Sequence, residues 1–306
     1  MKGPGMKALI VAAALAMTAC ATSGGKQVLG TKPAYLASVA ETVPNQDAIG
    51  PRIFIPGLDE DWVPQGLVVI GDHILVSSYK PTPNLEASAG PCRVYRVERE
   101  TGIPAGRFDV PLENCNSHAG GMAHWTRGQL LLADTQMLSL IDYEKAFATG
   151  TARDAIRTVK IEGGLRGSLA GNQGGESWIG TWSKEQAKSL MYRMPRDLFE
   201  RRGTVREDIA AETRPIPVEA QGAAFDRDGN LWVSASRSNT MSKLYRLDRA
   251  GTVTAEYEMP IGIEGIGFDS RGKLWAITES GTRKYLRWGE RFNFPFIFEI
   301  DTTRLK

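Results

Sequence analysis

Glu264 and Glu279 are the acidic pair in this sequence whose placement most invites chemistry. Glu264 stands where an otherwise matching block of the chain has Gln221, at the start of an apolar strand, and Glu279 ends the strand that follows. Two neighbouring carboxyls of this kind can hold a cation or act as acid and base. The alternative is a pair neutralised by arginines of the adjacent loops. The chain has three histidines. His118 falls beside the same acidic pair and is a candidate accessory group, with a hydrogen-bonded structural role as the alternative. His73 sits in a turn, Gly71-Asp72-His73, and His124 aligns with Phe225 and Phe268, a strand position. No Gly-x-Ser-x-Gly elbow, His-Glu-x-x-His, phosphate loop or Gly-rich dinucleotide motif occurs. Asp226, Asp228 and Asp269 read as turn formers and carry no chemistry.

The elements that must position these residues repeat along the chain. Residues 219–247 read as a short apolar strand, an Asp-Gly turn, a second strand (Leu231-Trp232-Val233), a loop and an alternating third strand (Leu244-Tyr245-Arg246-Leu247). Residues 263–277, Ile-Glu-Gly-Ile-Gly-Phe-Asp-Ser-Arg-Gly-Lys-Leu-Trp-Ala-Ile, repeat the first half. Aligned starts fall at Gln65, Gly120, Gly167, Gln221 and Glu264, roughly every 50 residues. Each interval suffices for four short strands and their turns, so an all-β propeller is expected. Five blades are counted, six being the alternative. The fifth block lacks a fourth strand, and Arg52-Ile53-Phe54-Ile55 precedes the first block. Pairing that strand beside the last block would close the ring and remove an open edge. Residues 196–213 are charged and irregular, which predicts a helix or long loop in place of a clean outer strand of the third blade.

Strand alternation puts the inner-strand starts and second-strand ends on one face. The predicted mouth is ringed by Gln65, His118 or Gly120, Arg166 or Gly167, Gln221 and Glu264, with Tyr79, Asp134, Trp182, Ser236 and Glu279 from the second strands. From this ring Gln65, Tyr79, His118, Trp182, Gln221, Glu264 and Glu279 are the candidate ligand-binding residues, for a sugar, a peptide or another small ligand. A hydrated channel without a ligand is the alternative. Two long loops, 80–91 and 280–295, belong to blades that become neighbours on closure. The second is aromatic and basic (Arg283, Lys284, Tyr285, Arg287, Trp288, Arg291, Phe292) and reads as a lid or recognition loop.

Composition sets the compartment and excludes some partners. Of 306 residues 42% are apolar, enough for a large core, and the net charge of +2 argues against a nucleic-acid partner. Lys2 and Lys7 precede an apolar run, 8–17, too short for a permanent span, and Met17-Thr18-Ala19-Cys20 follows. This ending resembles the bacterial lipobox, with Met at the position where Leu is preferred. The resemblance implies cleavage before Cys20 and lipidation of its thiol, hence a membrane partner, and Ala21 resembles the pattern of outer-membrane sorting, facing the periplasm. An ordinary secretory signal is the alternative. The expected division is signal peptide 1–20, tether and N-terminal extension 21–50, propeller 51–306, with weak helical character over 35–40. In an oxidising compartment Cys92 and Cys115 read as a disulfide that pins the 80–91 loop, two buried thiols being the alternative.

The pattern Gly-x-x-Phe-Asp-x-x-Gly-x-Leu-Trp-Val with a downstream Leu-Tyr-Arg-Leu-Asp resembles propellers of the NHL and SMP-30/gluconolactonase type. SMP-30 members are metal-dependent lactonases with a Glu, Asn and Asp cluster at the channel, and these families usually have six blades. Here only Glu264 matches that cluster. Two functions remain in view. One is a lipid-anchored ligand-binding or protein-interaction module with no cofactor. The other is a hydrolase or lactonase dependent on a divalent cation such as calcium, with Glu264 as metal ligand and Glu279 and His118 assisting.

Overall fold

Hairpins with a common local chemistry generate the repeat. In the computed structural model, which describes residues 27–306 except 202, 238–240 and 290–291, Asp226 opens such a turn. Its Oδ1 accepts the backbone N–H of Asp228 and Asn230, and Gly229 takes φ +82°. Asp269 does the same for Arg271 and Lys273, with Gly272 at +82°. A β-carbon disfavours that backbone region, so Asp and Gly together specify a reversal between two apolar strands.

The strands assemble into five blades. Blade 1 comprises Val63–Ile70, His73–Tyr79, Cys92–Glu98 and Pro104–Val110. Blade 2 comprises Gly121–Thr126, Gln129–Asp134, Met137–Asp142 and Ile156–Ile161. Blade 3 comprises Leu169–Gln173, Glu176–Gly180, Leu190–Arg193 and Glu212–Pro215. Blade 4 comprises Ala220–Phe225, Leu231–Arg237, Met241–Leu247 and Val253–Glu258. Blade 5 takes Ile263–Phe268, Leu274–Thr278 and Phe296–Ile300 from the C-terminal end of the chain and Ile49–Phe54 from its N-terminal side. The N-terminal strand runs antiparallel to Phe296–Ile300, as ring closure required.

Three local features differ from the sequence expectation. Val28–Leu29, inside the stretch read as tether, adds a fifth strand parallel to Arg52 and Ile53. No helix forms over 35–40; instead Leu36 is buried and the Tyr35 hydroxyl donates to the Gly281 carbonyl at 2.6 Å. In 196–213 short 3-10 turns flank Thr204–Val205, which pairs in parallel with the edge of blade 2, and the outer strand of blade 3 comes only at 212–215.

Apolar faces pack between successive blades. At the closing seam Trp275, Ile277 and Ile297 meet Leu67, Ile74 and Val76, with Ile53 from the N-terminal strand. Burying each such side chain contributes about 1.5–3 kcal/mol. Serine hydroxyls add ties between blades: Ser77 donates to the Ala119 carbonyl at 2.7 Å and Ser234 to the Glu264 carbonyl at 2.5 Å.

The axis is closed midway. A β-carbon at Gly120 would lie 2.4 Å from Ser168 O, one at Gly222 2.7 Å from Glu264 O, and one at Gly265 2.4 Å from Leu67 N. The gap among these glycines has no room for a water molecule. A channel through the axis is therefore closed at this level, and the mouth is a blind pocket.

Candidate functional site

The mouth opens into a cavity of about 500 Å³. The predicted ring residues Gln65, His118, Gly120, Arg166, Trp182, Gln221, Ser236 and Glu279 all line it. The remaining ring residues do not. Tyr79 is fully buried, and Glu264 is 1% exposed, close enough to Glu279 to feel its charge. Asp134 is buried and its carboxylate faces a loop. Four backbone N–H groups, those of Asn116, Ser117, His118 and Ala119, donate to it at 2.8–3.2 Å. This cradle sets the loop that presents His118, whose ring lies 5.1 Å from that of Tyr79.

The floor is built by hydrogen bonds. Gln65 Nε2 donates to Pro64 O at 2.9 Å and to Glu279 Oε2 at 3.1 Å. Gln221 Nε2 donates to Ser236 Oγ at 3.1 Å, and Ser236 Oγ donates to Glu264 Oε1 at 3.2 Å. Burial pushes the Glu279 carboxyl up to about 7, against the opposing pull of Tyr285, Lys284 and Gln65. Burial, and then the neighbouring Glu279, push Glu264 well above the usual carboxylate range, and its bond from Ser236 opposes them. A carboxyl half-protonated near neutrality can give or take a proton within the cavity. Burial first, and Lys284 second, lower the affinity of His118 for a proton, so its imidazole is held neutral.

The lid expectation for 280–295 acquires a definite form. A short helix, Arg283–Leu286, turns Tyr285 into the cavity, and Trp288 follows it there. Their rings lie 4.7 Å apart, and Trp288 meets Phe292 at 5.3 Å. Lys284 faces the other way and is 4% exposed. Its Nζ donates to Tyr79 OH (2.6 Å), Ala87 O (2.8 Å) and Ser88 Oγ (2.9 Å), tying this helix to the 80–91 loop. Arg287 adds an ion pair to Glu86. Burial pulls the Lys284 ammonium down to about 8.

Thr135, Ser168, Lys184 and Arg237 also line the cavity and escaped the sequence reading. Each lies one or two residues beyond an aligned ring position, so counting on from the strand ends would have reached them. Cys92 and Cys115 form the expected disulfide.

The cation site implied by the SMP-30 resemblance does not fit these donors. Among the described residues, Glu264, Glu279 and His118 do not bring three ligand atoms within 4.8 Å of one another. The one group that does is Cys92, Cys115 and Asp134. Its sulfurs are joined to each other and its carboxylate is filled by backbone donors.

The protein is thus a five-bladed β-propeller with a blind, acid-floored pocket. No family model and no curated protein sequence matches it. Among solved structures it is similar to a glutaminyl cyclase from Myxococcus xanthus, at TM-score 0.55 and 13% identity over 82% of this chain and 94% of that one. A luciferin-regenerating enzyme is similar at TM-score 0.44 and 9% identity, over 87% and 96%. A PQQ-bound aldose sugar dehydrogenase from Streptomyces coelicolor follows at 0.39 and 15%, over 71% and 74%. At 13% identity the likeness to the glutaminyl cyclase establishes the fold alone.

Proposed function

We propose that the protein is an exported propeller, anchored at Cys20 to the outer membrane and facing the periplasm, that binds a small organic ligand in the pocket at its mouth. The carrying observation is the pocket itself. It is blind, of small-molecule size, walled by Trp182, Tyr285 and Trp288 and floored by Glu279. Cys20 and the signal before it lie outside the described residues; the case for the anchor is their sequence. The Cys92–Cys115 bridge suits an oxidising compartment. Among the described residues no helix is long and apolar enough to cross a membrane.

A metabolite panel scored by melting temperature tests the reading, because a ligand selective for the native state raises the midpoint by mass action. Compounds that stabilise the wild type and fail on Trp182→Ala support it. Equal stabilisation of both places binding elsewhere on the protein. For the anchor, Cys20→Ser should move the protein from the membrane fraction to the soluble one; unchanged fractionation argues against lipidation.

A second reading is catalysis by proton transfer, favoured by the protonation of Glu279 near neutral pH. Because the fold is shared with a glutaminyl cyclase, ammonia release from glutaminyl dipeptides is the first assay. Turnover reduced at least about 100-fold by Glu279→Gln would support it. The cation-dependent lactonase has less support, since the donor set is incomplete. A calcium-specific rise in melting temperature abolished by Glu264→Gln would restore it.

A further inference from the structure

The cavity is graded in exposure. Of the residues that line it, Lys184 and Arg237 are exposed and Arg166 is half-buried, whereas the acceptor-bearing Gln65 and Ser236 are 4% and 3% exposed, with Glu279 half-buried beside Gln65. Trp182, Tyr285 and Trp288 supply its aromatic lining. Lys284 exerts an electrostatic pull on Glu279 but makes no hydrogen bond or ion pair with it among the described residues. Its three N–H bonds go to Tyr79, Ala87 and Ser88. The floor also holds an acceptor in waiting. Gln65 is 4% exposed and its amide nitrogen is engaged twice, but its Oε1 has no donor among the described residues. Carboxyl and amide oxygen together therefore lack a multi-donor cation.

We propose that the ligand supplies it: the pocket takes an amine-bearing compound, ammonium end first, whose outer end is anionic, the class being an amino acid or the amino-terminal end of a short peptide. This rests on the pocket reading above and names the ligand class for it. An ammonium offers three donors, and Glu279, Gln65 Oε1 and Ser236 Oγ offer three acceptors. The tryptophan and tyrosine faces favour a cation and its apolar stem over water. At the rim, Lys184 is exposed with no partner among the described residues, and carbonyls of Gly163 and Leu165 hold the Arg166 guanidinium. An anionic outer end meets that rim, whereas a ligand entering carboxylate first would meet Glu279. Binding at neutral pH also displaces a proton, because the ammonium favours the ionised form of Glu279.

The test uses the mature lipoprotein in detergent near pH 7, with four probes of similar shape: 4-(aminomethyl)benzoate, benzylamine, benzyl alcohol and benzoate. Tryptophan emission and calorimetry in two buffers of different ionisation enthalpy read binding and proton release. The two amines should bind about tenfold or more tightly than the alcohol or benzoate, with a proton released. Glu279→Gln should remove both the preference and the release, and Lys184→Ala should weaken only the zwitterion. Benzoate or benzyl alcohol binding as well as the amines, or an amine preference that survives Glu279→Gln, overturns the inference. If that binding is lost in Trp182→Ala, the pocket reading stands without it. If no probe binds in a manner that depends on Trp182, both fall.

Discussion

At the scale of single residues, Glu279 and Asp134 show opposite treatments of a carboxyl at a strand end. Both end second strands on the same face, yet Asp134 receives four backbone N–H bonds and Glu279 receives a cavity. An unfolded glutamate titrates near 4.3, and Glu279 in the fold near 7. Between those values the native state keeps a proton that the unfolded chain has released. The stability carried by the protonated form is complete below the lower value and is lost as pH rises through the higher one. The unfolding free energy from urea titrations should therefore fall from pH 5 to pH 7.5, by at most about 1.4 kcal/mol per pH unit for each such group. Glu279→Gln should flatten that decline and also relieve Glu264; profiles parallel to wild type would refute the assignment. For Asp134→Asn the expected outcome is a loss of about 3 kcal/mol in chemical denaturation, since one amide oxygen cannot replace two carboxylate oxygens among four donors. A change under 1 kcal/mol would mean that the loop carrying His118 does not depend on the cradle. Sequence alignment could find both acids because strand-end positions are countable. It could not tell them apart, because the donors to Asp134 are main-chain groups that leave no residue signature.

At the scale of elements, legibility followed local chemistry. The Asp-Gly hairpins, the Leu-Trp second strands and the alternating third strands were readable because each is specified within a few residues. The helix Tyr143–Thr149, capped by Asp142 accepting from the Lys145 N–H, was missed, although the Asp before it is an N-cap signal. Residues 196–213 were unreadable for another reason: Val205 is buried against blade 2, so its partner lies in a different repeat. The two long loops were visible by length, but their mutual attachment through Lys284 was not. The disulfide acts on the same region. It joins the start of a blade 1 strand to the loop before blade 2, closing a separation of 23 residues. Cys92→Ser should cost about 3 kcal/mol and quicken amide exchange in 80–91, while blade 4 keeps its protection. Equal melting temperatures under oxidising and reducing conditions would count against that role.

At the scale of the whole molecule, the ring was legible by an edge argument, and its closed axis was not. The last block lacked an outer strand while a spare strand preceded the first, and an unpaired edge is costly, so their union followed. That the pocket is blind depends instead on how closely five inner strands approach, which no repeat length reveals. The aligned glycines carried the signal: Gly66, Gly222 and Gly265 each follow a ring position, and read together they mark backbone contact between blades. The closing seam is where this matters most, because it joins elements distant in sequence. A β-carbon at Gly265 would lie 2.4 Å from the Leu67 nitrogen and 2.7 Å from the Gly66 carbonyl carbon, both backbone atoms that cannot rotate away. Gly265→Ala must therefore widen the contact between blades 5 and 1. The expected cost is about 1–3 kcal/mol or more, as for other overpacked sites, with increased amide exchange concentrated in Val63–Ile70 and Ile49–Phe54. Gly71→Ala is the control, since nothing lies within 4 Å of its added carbon; its φ of +58° charges only the turn, about 1 kcal/mol. Uniform loosening of all five blades by Gly265→Ala would show that the axis folds as one cooperative core, and the seam would then have no separate role in shaping the pocket.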